Sequence, residues 1–402
     1  MRKNWLLGFG FFSISLTWGL YNAFVPLFLD HYLKSAAMIG FMMTLDNYFA
    51  MFLQPWIGHR SDSTVSKFGP RLPYLMWGMP IAAVFVMLLP LHSTLLTLIL
   101  FMVLMNLAMS IYRSPTIALM PDITPEAQRT KANGIINFMG GVGGIIAFGA
   151  GSILYGAHPA FPFIASGIVK LLCLLIVVVT LKGRYTNQGQ TYTSSEEQPK
   201  LGKSKVLDQL DRTTVLLLIA IFFWFVAYQG VEALFTLYGK NHLGLTDEAA
   251  AFSLTFFSLF FVLFAIPSGW LGNRFGKRNM IITGVCGLIV VFAVLPFIQS
   301  LIPLRVLLAI GGAFWACINI NSYPFVISLG SEASIGTRTG LYYLVSSLAA
   351  VSSPPLLGLV VDSLGYGALF GCAATAMVIA FVLMLLIPRQ QIVNEHITTV
   401  KV

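Results

Sequence analysis

Long apolar runs separated by short polar stretches dominate the pattern of this chain. Twelve of these runs hold about 20 mostly apolar residues, the length that a helix needs to cross the hydrocarbon core of a bilayer. Backbone polar groups inside hydrocarbon must be satisfied within the segment, so the runs predict helices rather than isolated strands. The predicted spans are residues 5–29, 37–57, 72–91, 95–119, 133–155, 161–181, 213–238, 248–271, 279–298, 303–329, 340–361 and 367–387.

One long polar stretch divides these spans six from six. Residues 183–212 are rich in Gln, Ser, Thr, Glu and Lys and predict a flexible linker. We therefore expect an N-terminal six-helix bundle over residues 1–182, the linker over 183–212, and a C-terminal six-helix bundle with a short tail over 213–402.

Short motifs recur in the two halves at nearly constant offset. The repeated landmarks are Gly58 and Asp62 with Gly269 and Asn273, and Pro115 and Arg129 with Pro324 and Arg338. Each glycine precedes its partner by four positions, and each proline precedes its arginine by fourteen. The repeat predicts an all-α integral membrane protein with 12 transmembrane helices in two parallel-related six-helix bundles. Such repeats are one arrangement used for alternating access to a site between the halves.

Charged residues are scarce and unevenly placed. They make up 10% of the chain, against about 25% in soluble proteins. Of the 24 Lys and Arg residues, 19 fall on the side of the two termini and 3 on the other side. This skew predicts a multi-pass protein with both termini and the linker in the cytoplasm. It also accounts for most of the +9 net charge, so we expect no nucleic-acid partner.

Sequence signatures of enzymes are missing. The chain has no P-loop, metal-ligand cluster, nucleophile elbow or dinucleotide-binding fingerprint, so we predict neither an enzyme nor an ATP-driven pump, and no cofactor or metal.

Four charged residues lie clear of the ends of the predicted spans, where a charge is costly and suggests function. Glu232 is the leading candidate for proton coupling, because it shares a helix face with Trp224 and Tyr228; the alternative is a structural carboxyl. Asp46 and Arg113 predict a coupling pair or, alternatively, a permanent ion pair. Lys170 has no evident partner, and we expect it at the lipid periphery.

Aromatic residues beside amide side chains recur on the first, seventh and tenth spans. Such faces suit a polyhydroxylated ligand, since aromatic rings stack on sugars while amides fix hydroxyl groups. The alternative is ordinary hydrogen bonding between helices. The predicted substrate-binding residues are Trp18, Tyr21, Asn22, Trp224, Tyr228, Gln229, Trp315 and Asn319.

The repeated Gly-anchored loops predict a conformational latch at the cytoplasmic side. Asp62 would pair with a nearby Arg or a helix N-terminus and hold the outward-facing state. The alternative is a tight turn whose charges only fix topology. The predicted latch residues are Gly58, Asp62, Arg71, Arg129, Asn273, Arg274 and Arg338.

These motifs give the chain a resemblance to a known family. The stretches that carry it are Gln54-Pro55-x-x-Gly58-x-x-Ser61-Asp62-x4-Lys67-Phe68-Gly69-x-Arg71-x-Pro73, Tyr112-Arg113-Ser114-Pro115 and Trp315-Ala316-Cys317-Ile318-Asn319. The chain resembles the major facilitator superfamily, and within it the sucrose-transporter-like branch allied to the glycoside–pentoside–hexuronide:cation symporters. The resemblance implies the major facilitator fold and cation-coupled uptake of a sugar, often a disaccharide or glucoside.

The identity of the coupling ion is predicted from two positions at which this chain differs from that family. Ala50 and Gln54 stand where melibiose-type members carry the acidic pair that binds the cation. We therefore expect H+ rather than Na+ as the coupling ion. The prediction is a monomeric, proton-coupled sugar symporter of the plasma membrane that works by alternating access. The alternatives are an exporter of amphipathic or lipid-like molecules on the same fold, and a sensor that transports nothing.

Overall fold

The computed structural model describes residues 2–125, 128–181, 212–329 and 335–388, and within these ranges the regular structure is helical. The helices are α1 (Arg2–Tyr32), α2 (Ala36–Met43), α3 (Leu45–Asp62), α4 (Leu72–Leu88), α5 (Leu95–Ile123), α6 (Arg129–Ala157), α7 (Phe161–Leu181), α8 (Arg212–Asn241), α9 (Asp247–Phe275), α10 (Lys277–Val294), α11 (Leu301–Ser328), α12 (Ile335–Leu364) and α13 (Ala368–Leu386). Short 3₁₀ turns over Leu89–Leu91 and Leu295–Phe297 extend α4 and α10.

The twelve predicted spans are confirmed, with α2 and α3 together forming the second. The predicted linker lies outside the described residues except for Arg212, where α8 begins, and the tail beyond residue 388 lies outside them too. The boundaries between bundle, linker and tail therefore stay predictions.

The second span is broken, where the sequence predicts one continuous helix over 37–57. The backbone N–H of Thr44 donates to the carbonyl of Phe41 at 3.1 Å, and the Thr44 hydroxyl donates to the same carbonyl at 2.7 Å. This three-residue turn replaces the i→i−4 bond and ends α2. The break places Asp46 in the first turn of α3, where the positive end of the helix dipole favours a carboxylate.

The two halves pack in the same way. In the first half α1 contacts α6 and α7, and α5 contacts α3 and α4. In the second half α8 contacts α12 and α13, and α11 contacts α9 and α10. The repeated landmarks of the sequence thus correspond to repeated packing. The glycines of α6 serve this packing, since a Cβ on Gly143 would lie 2.5 Å from the Phe12 backbone oxygen of α1.

The outward surface of the helices is apolar. Large side chains such as Trp77, Leu96, Ile266 and Phe297 are more than two thirds exposed. An exposed apolar surface spread over all sides of a helical bundle is suited to lipid rather than water.

The halves meet through α2 with α12, α6 with α9, and α1 with α8. We call the end of the bundle where α1 begins and α13 ends the terminal face, and the opposite end the far face. At the far face Asp362 of α12 accepts hydrogen bonds from the Ser35 hydroxyl and the Ala36 N–H, both at 2.6 Å. It thereby caps the N-terminus of α2 in the other half.

A second polar link at the far face joins α1 to α8 and α9. The Lys240 ammonium lies 3.7 Å from an Asp30 oxygen and 3.6 Å from an Asp247 oxygen. The carboxylates and the ammonium come from both halves, so these contacts hold the far face closed.

Candidate functional site

Glu232 forms a polar link between the two halves at mid-depth. It lies nine residues, about 14 Å, from the far end of α8. The Nδ2 of Asn22, on α1, donates to Glu232 Oε1 at 3.3 Å. The Tyr228 hydroxyl, one turn earlier on α8, also donates to this carboxyl. Both partners are neutral, so no cation is among the hydrogen-bond partners described for this carboxyl.

An aromatic platform adjoins Glu232. The rings of Tyr228 and Trp315 stack with centroids 4.1 Å apart and planes 4° apart. Phe225 meets Trp315 edge-on at 5.7 Å, and Phe257 lies 6.0 Å from Tyr228. Offset and edge-on contacts of this kind fix ring positions. Tyr228 contacts both Trp315 and Glu232, and Asn22 contacts Glu232, while the predicted binding role of these residues stays a prediction.

A cavity opens beside this carboxyl. Its walls come from the second half, with Phe148 of α6 closing one side. Tyr228, Glu232 and Ser258 are the polar residues of its lining, and the rest is apolar. The phenylalanines of the lining are Phe148, Phe235, Phe257, Phe292 and Phe370.

A second polar cluster lies in the first half around Tyr21. The Nδ2 of Asn106 on α5 donates to the Tyr21 hydroxyl at 3.2 Å. Trp18 meets the Tyr21 ring edge-on at 5.5 Å. The Asp46 carboxylate accepts a hydrogen bond from the Asn47 N–H and interacts electrostatically with Tyr21 and Glu232. Asn106 is absent from the predicted site, although its position seven residues before Arg113 on one helix face is a usable signal.

Asp46 and Arg113 attract each other electrostatically but are not in ion-pair contact, which requires a nitrogen–oxygen distance of 4.0 Å or less. Asp46 lies about 15 Å from the far end of its span and Arg113 about 27 Å from the start of α5. The permanent ion pair considered from the sequence is therefore not formed in this conformation.

Lys170 corrects another expectation. It does not reach the lipid periphery: its side chain is completely buried between α7 and α5. Its Nζ donates to the Tyr112 hydroxyl at 2.9 Å and to the Met109 sulfur at 3.1 Å. Ser166, Lys170 and Cys173 share one face of α7 by their spacing, and all three are buried, so this face was a usable signal for the inward side of the helix.

The other predicted substrate residues are spread around the cluster and cavity. Trp224 is fully buried in the core of the second half, while Gln229 and Asn319 are half-buried on α8 and α11. These three are outside the cavity lining described above, and their role in binding stays a prediction.

Comparison with known proteins decides the family. The model of the Major Facilitator Superfamily matches residues 7–255 and 240–400. The chain belongs to this superfamily. It is similar to the tetracycline resistance protein, class B, of Escherichia coli, at 24% identity over 85% of this chain and 84% of that protein. It is also similar to the isoprimeverose transporter of Lactiplantibacillus pentosus, at 23% identity over 68% of this chain and 60% of that protein.

Solved structures of the superfamily share the fold. The crystal structure of a mutant of the nucleoside transporter NupG matches with a TM-score of 0.76 at 16% identity, over 96% of this chain and 99% of that chain. The chain is thus a superfamily transporter, and the superfamily's members are generally not enzymes.

The superfamily's loop between the second and third spans is built around Arg71. Its guanidinium forms ion pairs with Asp62 and, at 3.1 Å, with Asp122 at the end of α5. It also donates to the Ser61 hydroxyl and, at 3.3 Å, to the Gly58 carbonyl. Asp122 is absent from the predicted latch, although the end of α5 must lie on the same face as this loop in a bundle of alternating helices.

Gly58 allows this network to form. A Cβ at this position would lie 2.8 Å from the Ser114 hydroxyl, so α3 and α5 come into close contact here. The close approach brings the loop within reach of Asp122.

The remaining predicted latch residues lie at the same face on other helices. Asn273 and Arg274 are exposed, and the Arg274 guanidinium lies 5.4 Å from the Trp270 and Phe275 ring centroids. Arg338 is buried and donates to the Thr214 hydroxyl at 2.8 Å, and Arg129 is exposed at the start of α6. A latch that changes between states stays a prediction for all of them.

Proposed function

We propose that this protein is a proton-coupled sugar symporter that works by alternating access. The observation that carries the proposal is the Glu232 carboxyl, which is held between the halves by two neutral groups, Asn22 and Tyr228. An ionisable group at the depth of a bilayer midplane is costly to keep, and such groups commonly mark substrate or proton pathways.

The hydrogen bond to Asn22 gives protonation a mechanical consequence. Glu232 belongs to α8 and Asn22 to α1, so the bond joins the two halves. A proton on Glu232 would remove the midplane charge and change this link. The loaded carrier could then rock between its two states. Asp46, in the first turn of α3, is the second candidate for carrying the proton. Arg113 is the candidate for stabilising the ionised form of Asp46.

Sugar as cargo is supported by the aromatic platform. The Tyr228 ring lines the cavity beside the Glu232 carboxyl, and its stacking on the buried Trp315 ring holds it in place. Sugars bind where their apolar faces contact aromatic rings and their hydroxyls meet a few fixed polar groups. Similarity to a protein named as an isoprimeverose transporter agrees with this class of cargo.

A second candidate is export of an amphipathic molecule. The observation that favours it is the apolar lining of the cavity beside Glu232. Similarity to a tetracycline resistance protein points the same way. Both candidates use the same carboxyl, and they differ in cargo and direction.

We further infer that the terminal face is cytoplasmic, from the 19-to-3 distribution of Lys and Arg. The closed far face would then make this conformation inward-facing, in a plasma-membrane protein that acts as a monomer. The Asp62–Arg71 ion pair is formed in this conformation, so on this assignment the pair alone would not hold the outward-facing state.

The test is accumulation of radiolabelled sugars in proteoliposomes under an imposed pH gradient. We expect uphill uptake of at least one sugar by the wild type, and exchange without accumulation in Glu232→Gln. Glu248→Gln, an acidic position of α9 near the far face, is the matched control and should accumulate normally. Unchanged uphill uptake in Glu232→Gln would refute its role. No sugar movement, together with gradient-driven efflux of an amphipathic dye, would favour the second candidate.

A further inference from the structure

Three buried polar atoms without hydrogen-bond partners surround Tyr21 in the first half. They are Trp18 Nε1, Asp46 Oδ1 and Asn106 Oδ1. A buried donor or acceptor that lacks a partner destabilises the protein. Natural proteins therefore keep few such atoms, and each one calls for an explanation. Three such atoms on side chains that all interact with Tyr21 are better explained by one shared ligand than by three separate packing defects.

Trp18 and Asn106 contact Tyr21 from α1 and α5, and Asp46 of α3 lies within electrostatic range of the same tyrosine. Asn106 donates to the Tyr21 hydroxyl at 3.2 Å through Nδ2, which leaves its carbonyl oxygen unused. Trp18 lies one turn before Tyr21 on α1, with ring centroids 5.5 Å apart. Asp46 interacts electrostatically with the same tyrosine.

Their depths also agree. Asp46 and Asn106 lie about 15 and 17 Å from the far ends of their spans, and Trp18 about 21 Å. Glu232, at about 14 Å, lies at nearly the same level in the other half. The cluster is therefore at the depth where the superfamily's two halves enclose their cargo.

The chemistry of the three atoms is complementary to hydroxyl groups. The indole nitrogen of Trp18 only donates, and the oxygens of Asp46 and Asn106 accept. A hydroxyl both donates and accepts, so two neighbouring hydroxyls could satisfy all three atoms. An organic ammonium could serve the two oxygens but could not accept from Trp18, and an apolar ligand could serve none of them.

We propose that Trp18, Asp46 and Asn106 form the subsite that binds a pair of neighbouring hydroxyls of the cargo, and that Asn106 is a specificity-determining residue. The proposal rests on the proposed transport of sugars and names the groups that would form hydrogen bonds with the sugar's hydroxyls. It gives Asp46 a binding role beside its predicted coupling role.

The experiment compares binding of a sugar and its deoxy analogues. The probes are the methyl glycosides of D-glucose, D-galactose and D-xylose, each with its set of monodeoxy derivatives, measured by competition and by tryptophan fluorescence on the full chain. In the wild type, loss of a recognised hydroxyl should weaken binding about 5- to 100-fold. In Asn106→Leu, the parent glycoside should bind more weakly by a similar factor. The affinity ratio between the parent and the analogue that lacks the hydroxyl recognised by Asn106 should then fall below about twofold.

Two further variants keep the test decisive. Trp18→Phe removes the N–H and keeps a ring, so it should reduce the penalty at a neighbouring position even if Asn106→Leu does not fold. Thr236→Val is the matched control, since its buried hydroxyl also lacks a partner but lies on α8. Thr236→Val should leave unchanged the loss of affinity that each missing hydroxyl causes.

The outcomes separate this inference from the proposed function. If the wild type moves a sugar with protons but both variants keep the wild-type deoxy profile, the subsite is refuted and the transport proposal stands. Uniform weakening of every analogue, with reduced thermal stability, would mean a purely structural role and would also refute it. If none of the glycosides binds to the wild type, both proposals fail.

Discussion

Removal of the Asp362 charge should open the far face. Asp362 accepts hydrogen bonds from the Ser35 hydroxyl and the Ala36 N–H, both at 2.6 Å, and from the Ala37 N–H at 3.1 Å. Asp362 belongs to α12 and its partners to the start of α2, so these bonds exist only while the far face is closed. Asn at this position offers one acceptor oxygen instead of two and carries no charge.

The magnitude follows from these three bonds. Loss of an N-terminal cap costs about 0.5–2 kcal/mol. A hydrogen bond to a charged group contributes about 1.5–3 kcal/mol. Because Asp362 is exposed, the lower part of these ranges applies, and we expect about 1–2 kcal/mol for Asp362→Asn. That corresponds to a shift of about 5- to 30-fold in the ratio of closed to open far face.

The assay is a distance distribution between spin labels at the far face. Ser93 and Gln299 are exposed there, one in each half, and are suitable label positions. The native cysteines to be replaced first are Cys173, Cys286, Cys317 and Cys372. Asp362→Asn should populate longer distances, while Ser363→Ala, whose hydroxyl bonds only within α12, should not. An unchanged distribution in Asp362→Asn, or an equal change in the control, would refute the reasoning.

Three further substitutions test other parts of the structure. Gly358→Ala should open the far face further, because its Cβ would lie 2.5 Å from backbone atoms of α2; Gly371→Ala, with nothing within 4 Å, is its control in the same spin-label assay. Arg71→Lys should lower the melting temperature and slow transport severalfold, since an ammonium cannot hold two carboxylates and a carbonyl in the guanidinium's geometry. Lys170→Met should leave the melting temperature within a few degrees of the wild type, because Lys170 has neutral partners, whereas a drop of more than about 10 °C would contradict that account.

Hydropathy predicted the spans well for a physical reason. A bilayer leaves a chain no option but helices of about 20 apolar residues, so composition determines where each helix runs. The internal repeat was equally visible, because matching positions such as Gly58 and Gly269 recur in the two halves, where they face α5 and α11 respectively.

The direction of each helix face was harder to predict. Lys170 is enclosed rather than at the periphery, and the marker of the inward side is the small and polar face that Lys170 shares with Ser166 and Cys173. The break at Thr44 depends on one hydroxyl and one N–H that share a carbonyl, which no periodicity reveals. Contacts between the halves, such as that of Asp362, need the relative position of distant helices.

The site was predictable only in part. Glu232, Asn22, Tyr228 and Trp315 were identified because charged or aromatic residues are conspicuous in apolar spans, and the structure brings them together. Asn106 was missed because a lone amide in a span usually bonds to a neighbouring helix.

The most direct test of the central claim is proton flux driven by sugar. Proteoliposomes containing the purified wild-type protein and an internal pH dye would receive an inward sugar gradient with no imposed pH gradient. We predict internal acidification that follows sugar entry, and sugar exchange without acidification in Glu232→Gln. Sugar entry without any pH change in the wild type, or acidification of equal size in Glu232→Gln, would contradict proton coupling through this carboxyl.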